Sequence, residues 1–312
     1  MTRALVFPGQ GSQSVGMGRE LAASFASARL VFEEVDAALG QNLSQVMFDG
    51  PESALTLTEN AQPALMAVSL AVLRVIEAEG FALSRSVAFV AGHSLGEYSA
   101  LAAAGAFTVA DAARLLKRRG QAMQLAVPVG AGAMAALLGL ELDAAREVAA
   151  AAAQGQVCSA ANDNAAGQVV VSGDKAAVDR AVALAAERGA RRSILLPVSA
   201  PFHCALMAPA AAVMREALAA VAIAPPVVPL IANVTAAPIS DPDAIRARLV
   251  EQVTGLVRWR ESVLAMKALG VDSLVEIGAG KVLAGLTKRI DRELTAVSIQ
   301  GPADIDAFLK TL

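Results

Sequence analysis

The fold turns on SVAFVAGHSLGEYSALAAAG, residues 86–105. Val87, Ala88, Phe89, Val90 and Ala91 form a short apolar run, as expected of a strand buried on both faces. Gly92-His93-Ser94-Leu95-Gly96 follows, and then an alanine-rich segment that reads as a helix. Strand, G-x-S-x-G and helix in that order make a nucleophile elbow, in which small residues let strand and helix approach and hold the serine at the tip of a sharp turn. Ser94 is the candidate nucleophile; a glycine-rich turn with an idle serine is the alternative.

Strands and helices alternate on either side of this stretch. Ala4, Leu5, Val6 and Phe7 read as a first buried strand, broken by Pro8-Gly9-Gln10-Gly11-Ser12-Gln13, a loop suited to turning backbone N–H groups toward a ligand. That loop lacks the Lys-Ser/Thr of a P-loop and the third glycine of a dinucleotide fingerprint. Helical spacing marks residues 18–39, then 63–79 with Gln62 just before it and Gly80 closing it, then 109–125. The last of these carries Arg114, Lys117, Arg118 and Arg119, and a solvated cationic face accounts for most such charges.

The character changes near residue 128. Strands are expected at 132–140, 156–161, 168–172 and 192–198, with helices at 141–153 and 174–188 and a hairpin-like turn at 162–167. The order β-α-β-β-α-β is that of a ferredoxin-like module, so a small domain is expected as an insertion over 128–198. Residues 1–127 and 199–312 then form one larger α/β domain with a mainly parallel sheet. Its second half holds strands at 227–234, 273–277 and 296–299 among helices, and a turn at 278–281 leading into a helix that ends near 290.

Composition narrows the classes. The hydrophobic fraction of 55% is inflated by alanine, and no uninterrupted apolar run reaches the roughly 18 residues of a membrane span. No secretory signal is evident at the N-terminus. A net charge of −3 gives no reason to expect nucleic acid. Cys158 and Cys204 make no disulfide framework and suit a reduced, cytoplasmic setting. With two histidines in the chain a His-rich metal site is excluded. A serine hydroxyl needs a general base. His93 adjoins Ser94 within the elbow and would point elsewhere, which leaves His203 in the loop after the insertion. No aspartate stands out between them as an orienting acid, and a backbone carbonyl could hold the imidazole instead.

FPGQGSQ, GHSLGEYSAL, the Arg119 helix, N-x-N at 162–164, PFHCALM and GAGKVLAGLTKRI together resemble the malonyl-CoA:acyl-carrier-protein transacylases of fatty-acid synthesis, from about Arg3 to the C-terminus. The resemblance implies an α/β-hydrolase-like large domain with a ferredoxin-like insertion. It implies Ser94 as the residue that takes malonyl as an ester and His203 as its base. Gln10 and Leu95 would supply the oxyanion-hole N–H groups, and the main-chain carbonyl of Gln252 would orient the histidine. Arg119 would bind the substrate carboxylate, with Gln62 beside it and Asn162 and Asn164 near the pocket mouth. Alanine at 279 replaces a proline frequent in the family, and Phe202 before the histidine matches the malonyl-selective type. No metal or organic cofactor is implied; the partners are malonyl-CoA and an acyl carrier protein, docked through Lys281, Lys288 and Arg289, with the enzyme a cytoplasmic monomer free of nucleic acid and membrane. A serine hydrolase, a polyketide acyltransferase acting in trans and a non-catalytic carrier-binding module remain as alternatives.

Overall fold

The computed structural model describes residues 2–312. Six strands form one sheet in the order β10-β9-β1-β2-β7-β8: β1 is Arg3–Phe7, β2 Phe89–Gly92, β7 Leu230–Ala232, β8 Ala237–Ile239, β9 Ser273–Ile277 and β10 Thr295–Ile299. All neighbours pair in parallel except β7 with β8. Every residue of β9 and the last four of β1 are buried, so Ala4 to Phe7 read as a continuous apolar run, and β9 does so apart from Ser273 and the buried Glu276. The chain leaves β1 toward β2 on one side and β9 toward β10 on the other, so the crevice at the carboxyl ends of β1 and β9 is a topological switch point, and the loops after β1 and β2 open beside it.

A separate antiparallel sheet has the order β4-β5-β3-β6, with β3 Gly132–Leu138, β4 Cys158–Ala165, β5 Gln168–Asp174 and β6 Arg192–Leu195. Helices Leu142–Ala153 and Lys175–Glu187 pack on it with their own apolar cluster of Val148, Val169, Val171 and Val178. In the larger unit the central helix Thr58–Ala78 is long and apolar enough to cross a membrane, yet it is buried among helices Ala26–Leu39 and Val109–Ala126.

Four expectations need correction. The helix expected at 18–39 is two helices, Arg19–Ser24 and Ala26–Leu39, because Phe25 is extended (φ −129°, ψ 125°) and packs against the core. The helix expected from residue 63 begins at Thr58, so Gln62 lies within it and Pro63 is an interior proline. The continuous burial of Ala61, Ala64, Leu65 and Val68 offsets the hydrogen bond that proline removes. Asn162, Asp163 and Asn164 are not a turn: β4 runs through them to Ala165, with register shifts at Ala160/Asn162 and Asp163/Ala165, and Ala166-Gly167 alone make the turn. The strand expected at 227–234 shortens to Leu230–Ala232.

Candidate active site

The elbow is built by close approach. A Cβ on Gly92 would lie 1.9 Å from the Gly96 carbonyl carbon, and one on Gly96 would lie 2.3 Å from the Phe7 oxygen, so neither position accepts a side chain. Ser94 adopts φ 54° in the left-handed region, a strained conformation for a non-glycine residue. Asn233, just past β7, clamps that turn: its Oδ1 accepts from the Ser94 N–H at 2.8 Å while its Nδ2 donates to the Gly92 carbonyl at 2.7 Å. The resulting hydrogen bonds hold the serine at the head of helix Gly96–Ala103.

Ser94 Oγ lies 2.7 Å from His203 Nε2. His203 Nδ1 is 2.9 Å from the Gln252 main-chain oxygen. A carbonyl only accepts, so Nδ1 carries the proton and Nε2 is left to receive one from the serine. Burial, and then the nearby Arg119 charge, push the His203 imidazole down to about 3, so it rests neutral at physiological pH. The missing aspartate is thereby explained in part: a main-chain carbonyl fixes the tautomer. His203 is itself held at φ 59°.

Arg119 is 2% exposed, unlike Arg114 and Arg118 on the solvated side of the same helix. Its Nη1 donates to Gln62 Oε1 at 2.8 Å, and its Nη2 to Gln252 Oε1 at 2.8 Å and to Ser94 Oγ at 3.1 Å. Its Nε is buried without a partner, and its guanidinium lies over the Tyr98 ring, 5.7 Å from the centroid. One Nη1 hydrogen and the Nε hydrogen are thus left uncommitted beside the Ser94 hydroxyl.

Gln10, Gln62, Leu95, Asn162 and Phe202 line one cavity of about 580 Å³ with Ser94, His203 and Arg119. Gln252 stands behind it, buried, touching both His203 and Arg119. Asn164, expected near the pocket mouth, is not among the lining residues; its Oδ1 is 2.8 Å from His93 Nε2, so it reaches the cavity only through His93. Lys281, Lys288 and Arg289 are exposed around the helix Val282–Ile290, and Arg289 donates to Gln168 Oε1 at 2.9 Å. Sequence reasoning missed the Asn233 clamp, the Gln252 side chain and the buried Glu97. A lone acid in an otherwise apolar elbow helix was the signal for the last of these.

Fold and site define an acyl transferase, and residues 4–298 match the family model described as an acyl transferase domain. The malonyl CoA-acyl carrier protein transacylase of Escherichia coli K12 is 47% identical over 307 residues, covering 98% of each chain. The crystal structure of the acyl-carrier-protein-S-malonyltransferase of Bartonella henselae is 55% identical with a TM-score of 0.98, covering 100% of this chain and 99% of that one. A malonyl-transacylase solved in complex with its type II PKS acyl-carrier protein is 42% identical with a TM-score of 0.97, covering 100% of both. The chain belongs to the malonyl-CoA:acyl-carrier-protein transacylase family.

Proposed function

We propose that this chain moves a malonyl group from malonyl-CoA to the phosphopantetheine thiol of an acyl carrier protein, for fatty-acid synthesis, through an ester on Ser94. The convergence of Ser94, His203 and the buried Arg119 on one cavity carries this reading. The malonyl carboxylate pairs with Arg119, whose planar guanidinium suits a two-pronged grip. Ser94 Oγ attacks the thioester carbonyl as His203 Nε2 takes its proton, and the oxyanion faces the N–H groups of Gln10 and Leu95. CoA leaves as the thiol, protonated by His203. The carrier thiol then enters, gives its proton to His203 and takes the malonyl group, restoring the Ser94 hydroxyl. The thioester is already activated, so these steps use side chains and main chain alone. Intact-mass measurement after mixing with malonyl-CoA, followed by addition of carrier protein, tests both halves: one malonyl per chain should appear and then transfer. Loss of the label to water at the same rate without carrier protein would instead mark a hydrolase.

Residues 128–198 form the ferredoxin-like insertion and the rest an α/β-hydrolase-like unit in this proposal, supported by the β-α-β-β-α-β chain order of the second sheet. The enzyme works as a cytoplasmic monomer. Phe202, buried at the cavity wall, sets selectivity by crowding an α-methyl group. Phe202→Ser should raise the loading of methylmalonyl-CoA relative to malonyl-CoA by about tenfold, on the order of one methyl group's worth of steric discrimination; an unchanged ratio in competition mass spectrometry assigns selectivity elsewhere.

The carrier protein approaches helix Val282–Ile290, which starts beside Lys281 at the carboxyl edge of the sheet after β9 and carries Lys288 and Arg289 in its last turn. Reversing Lys288 and Arg289 to Glu should raise the KM for carrier protein several-fold at low salt and leave loading from malonyl-CoA unchanged. Unaltered carrier kinetics at low ionic strength would mark that helix end as merely solvated.

A further inference from the structure

Glu97 lies in the first turn of the elbow helix, 1% exposed, in a molecule where nothing in the acyl-transfer chemistry itself calls for a buried acid there. Its two oxygens are both in use. Oε1 accepts from the Asn233 main-chain N–H at 3.0 Å, and Oε2 accepts from Gln252 Nε2 at 2.5 Å. Asn233 is the residue that clamps Ser94, and Gln252 is the residue whose carbonyl holds His203. One carboxylate therefore grips both supports of the serine–histidine pair.

We propose that Glu97 is a positioning residue for acyl transfer, supplying from one residue's remove the acid that a Ser-His-Asp triad places directly on its histidine. The assignment rests on Ser94 and His203 being the reacting pair.

The donor and acceptor pattern around Gln252 shows why an acid is needed. Gln252 Nε2 donates to Glu97 and to the Ser94 carbonyl at 2.8 Å, while its Oε1 accepts from Arg119. Turning the amide over would set NH₂ against the Arg119 guanidinium and oxygen against the Ser94 carbonyl, two mismatches at once. Position 97 completes that pattern: its acceptor takes the second Nε2 proton, which would otherwise be buried unpaired. Asn233's N–H is main chain and cannot turn away, so position 97 must accept on both sides. A carboxylate does this; a glutamine or a protonated acid presents one acceptor and one donor.

The charged and titratable groups acting on Glu97 are Arg119 from helix Val109–Ala126 and Tyr98 on its own helix, with His93 and His203 in the adjoining site. Burial lowers the pKa of both histidines, His203 to about 3, and raises that of Tyr98, while Arg119 carries its charge throughout. Burial pushes Glu97 up to about 7. Glu276, also pushed up to about 7, is bound to the Leu283 and Ala284 N–H groups at the start of another helix. As pH falls through 7, Glu97 takes a proton, loses one acceptor, and releases Gln252.

The experiment is single-turnover loading at saturating malonyl-CoA between pH 6 and 8.5, where KM effects at Arg119 drop out. The parent's rate should fall as pH drops through about 7. Glu97→Gln should still fold and reach one malonyl per chain, with a melting temperature lowered by a few degrees, but load roughly ten- to a hundredfold more slowly, as expected for one mismatched buried contact, and without that limb. Glu97→Asp, which keeps two acceptors on a shorter stem, should recover part of the rate that Glu97→Gln loses and should retain the limb near pH 7. Three results overturn the proposal: a parent rate flat across pH 7, a Glu97→Gln variant that loads at the parent's rate, or one whose labelled fraction falls while the rate per active chain does not. A parent that takes no malonyl at all would instead remove the Ser94 reading beneath it.

Discussion

Ser94→Ala should take up no malonyl group from malonyl-CoA, and in the parent protein peptide mapping should find the single label on Ser94. The elbow geometry leads to this result. Ser94 sits in the left-handed region at the head of a helix, its Oγ 2.7 Å from an imidazole nitrogen whose other nitrogen is committed to a carbonyl. Among the described residues no other hydroxyl is hydrogen-bonded to a histidine. Loss of the nucleophile in a serine enzyme costs on the order of a millionfold in kcat, which for a covalent label means none is seen. His203→Ala keeps the hydroxyl but removes its base and should slow loading to a nearly similar extent, because members of such a pair act as a unit. Label appearing on Cys158 or Cys204, or persisting in Ser94→Ala, would place the acyl group elsewhere.

The elbow was legible because its constraints are local: two glycines at backbone contact and a strand feeding a helix are written into ten consecutive residues. The parallel sheet was legible for the same reason, since the last four residues of β1 are buried and spell an unbroken apolar run. What failed was local grammar overruled by tertiary pairing. Asn162-Asp163-Asn164 has turn composition, yet β4 carries it through as strand because Asn162 also bridges to Val257 and Asp163 is wholly buried. Pro63 looked like a helix start because the residues before it are polar, yet Thr58, Asn60 and Gln62 are buried. Thr58 and Gln62 face the site, where Thr58 donates to Gln10 Oε1 and Gln62 accepts from Arg119, while Asn60 is paired with Gln41, Lys117 and the Ala54 carbonyl. The supports around the pair were invisible for a different reason. Asn233 and Glu97 lie more than a hundred positions apart and act through hydrogen bonds to the main chain, which no spacing in the sequence announces.

Arg119→Ala should lose malonyl loading by two to four powers of ten and keep acetyl loading. The guanidinium is buried in the cavity wall beside Ser94, held by Gln62 and Gln252, with Nε unpaired. A malonyl carboxylate entering there gives up its water, and with Arg119 gone it is left desolvated and without a counter-charge. Removing one partner of such a buried pair costs about 3–5 kcal/mol, roughly two to four powers of ten in kcat/KM. An acetyl group has no charge to strand, so the preference should move toward acetyl-CoA. The truncation also strips Gln62 Oε1 and Gln252 Oε1 of their donor, so some loss of stability is expected alongside. A melting curve and the acetyl rate separate the two effects: a variant that merely misfolds loses both activities together, whereas loss of the carboxylate site spares acetyl. Arg119→Lys should recover only part of the malonyl rate, since one ammonium cannot hold Gln62, Gln252 and a carboxylate in the fork geometry of the guanidinium. If Arg119→Ala loads malonyl as fast as the parent, the carboxylate is bound by another group and the buried arginine serves only to hold Gln62 and Gln252 in place.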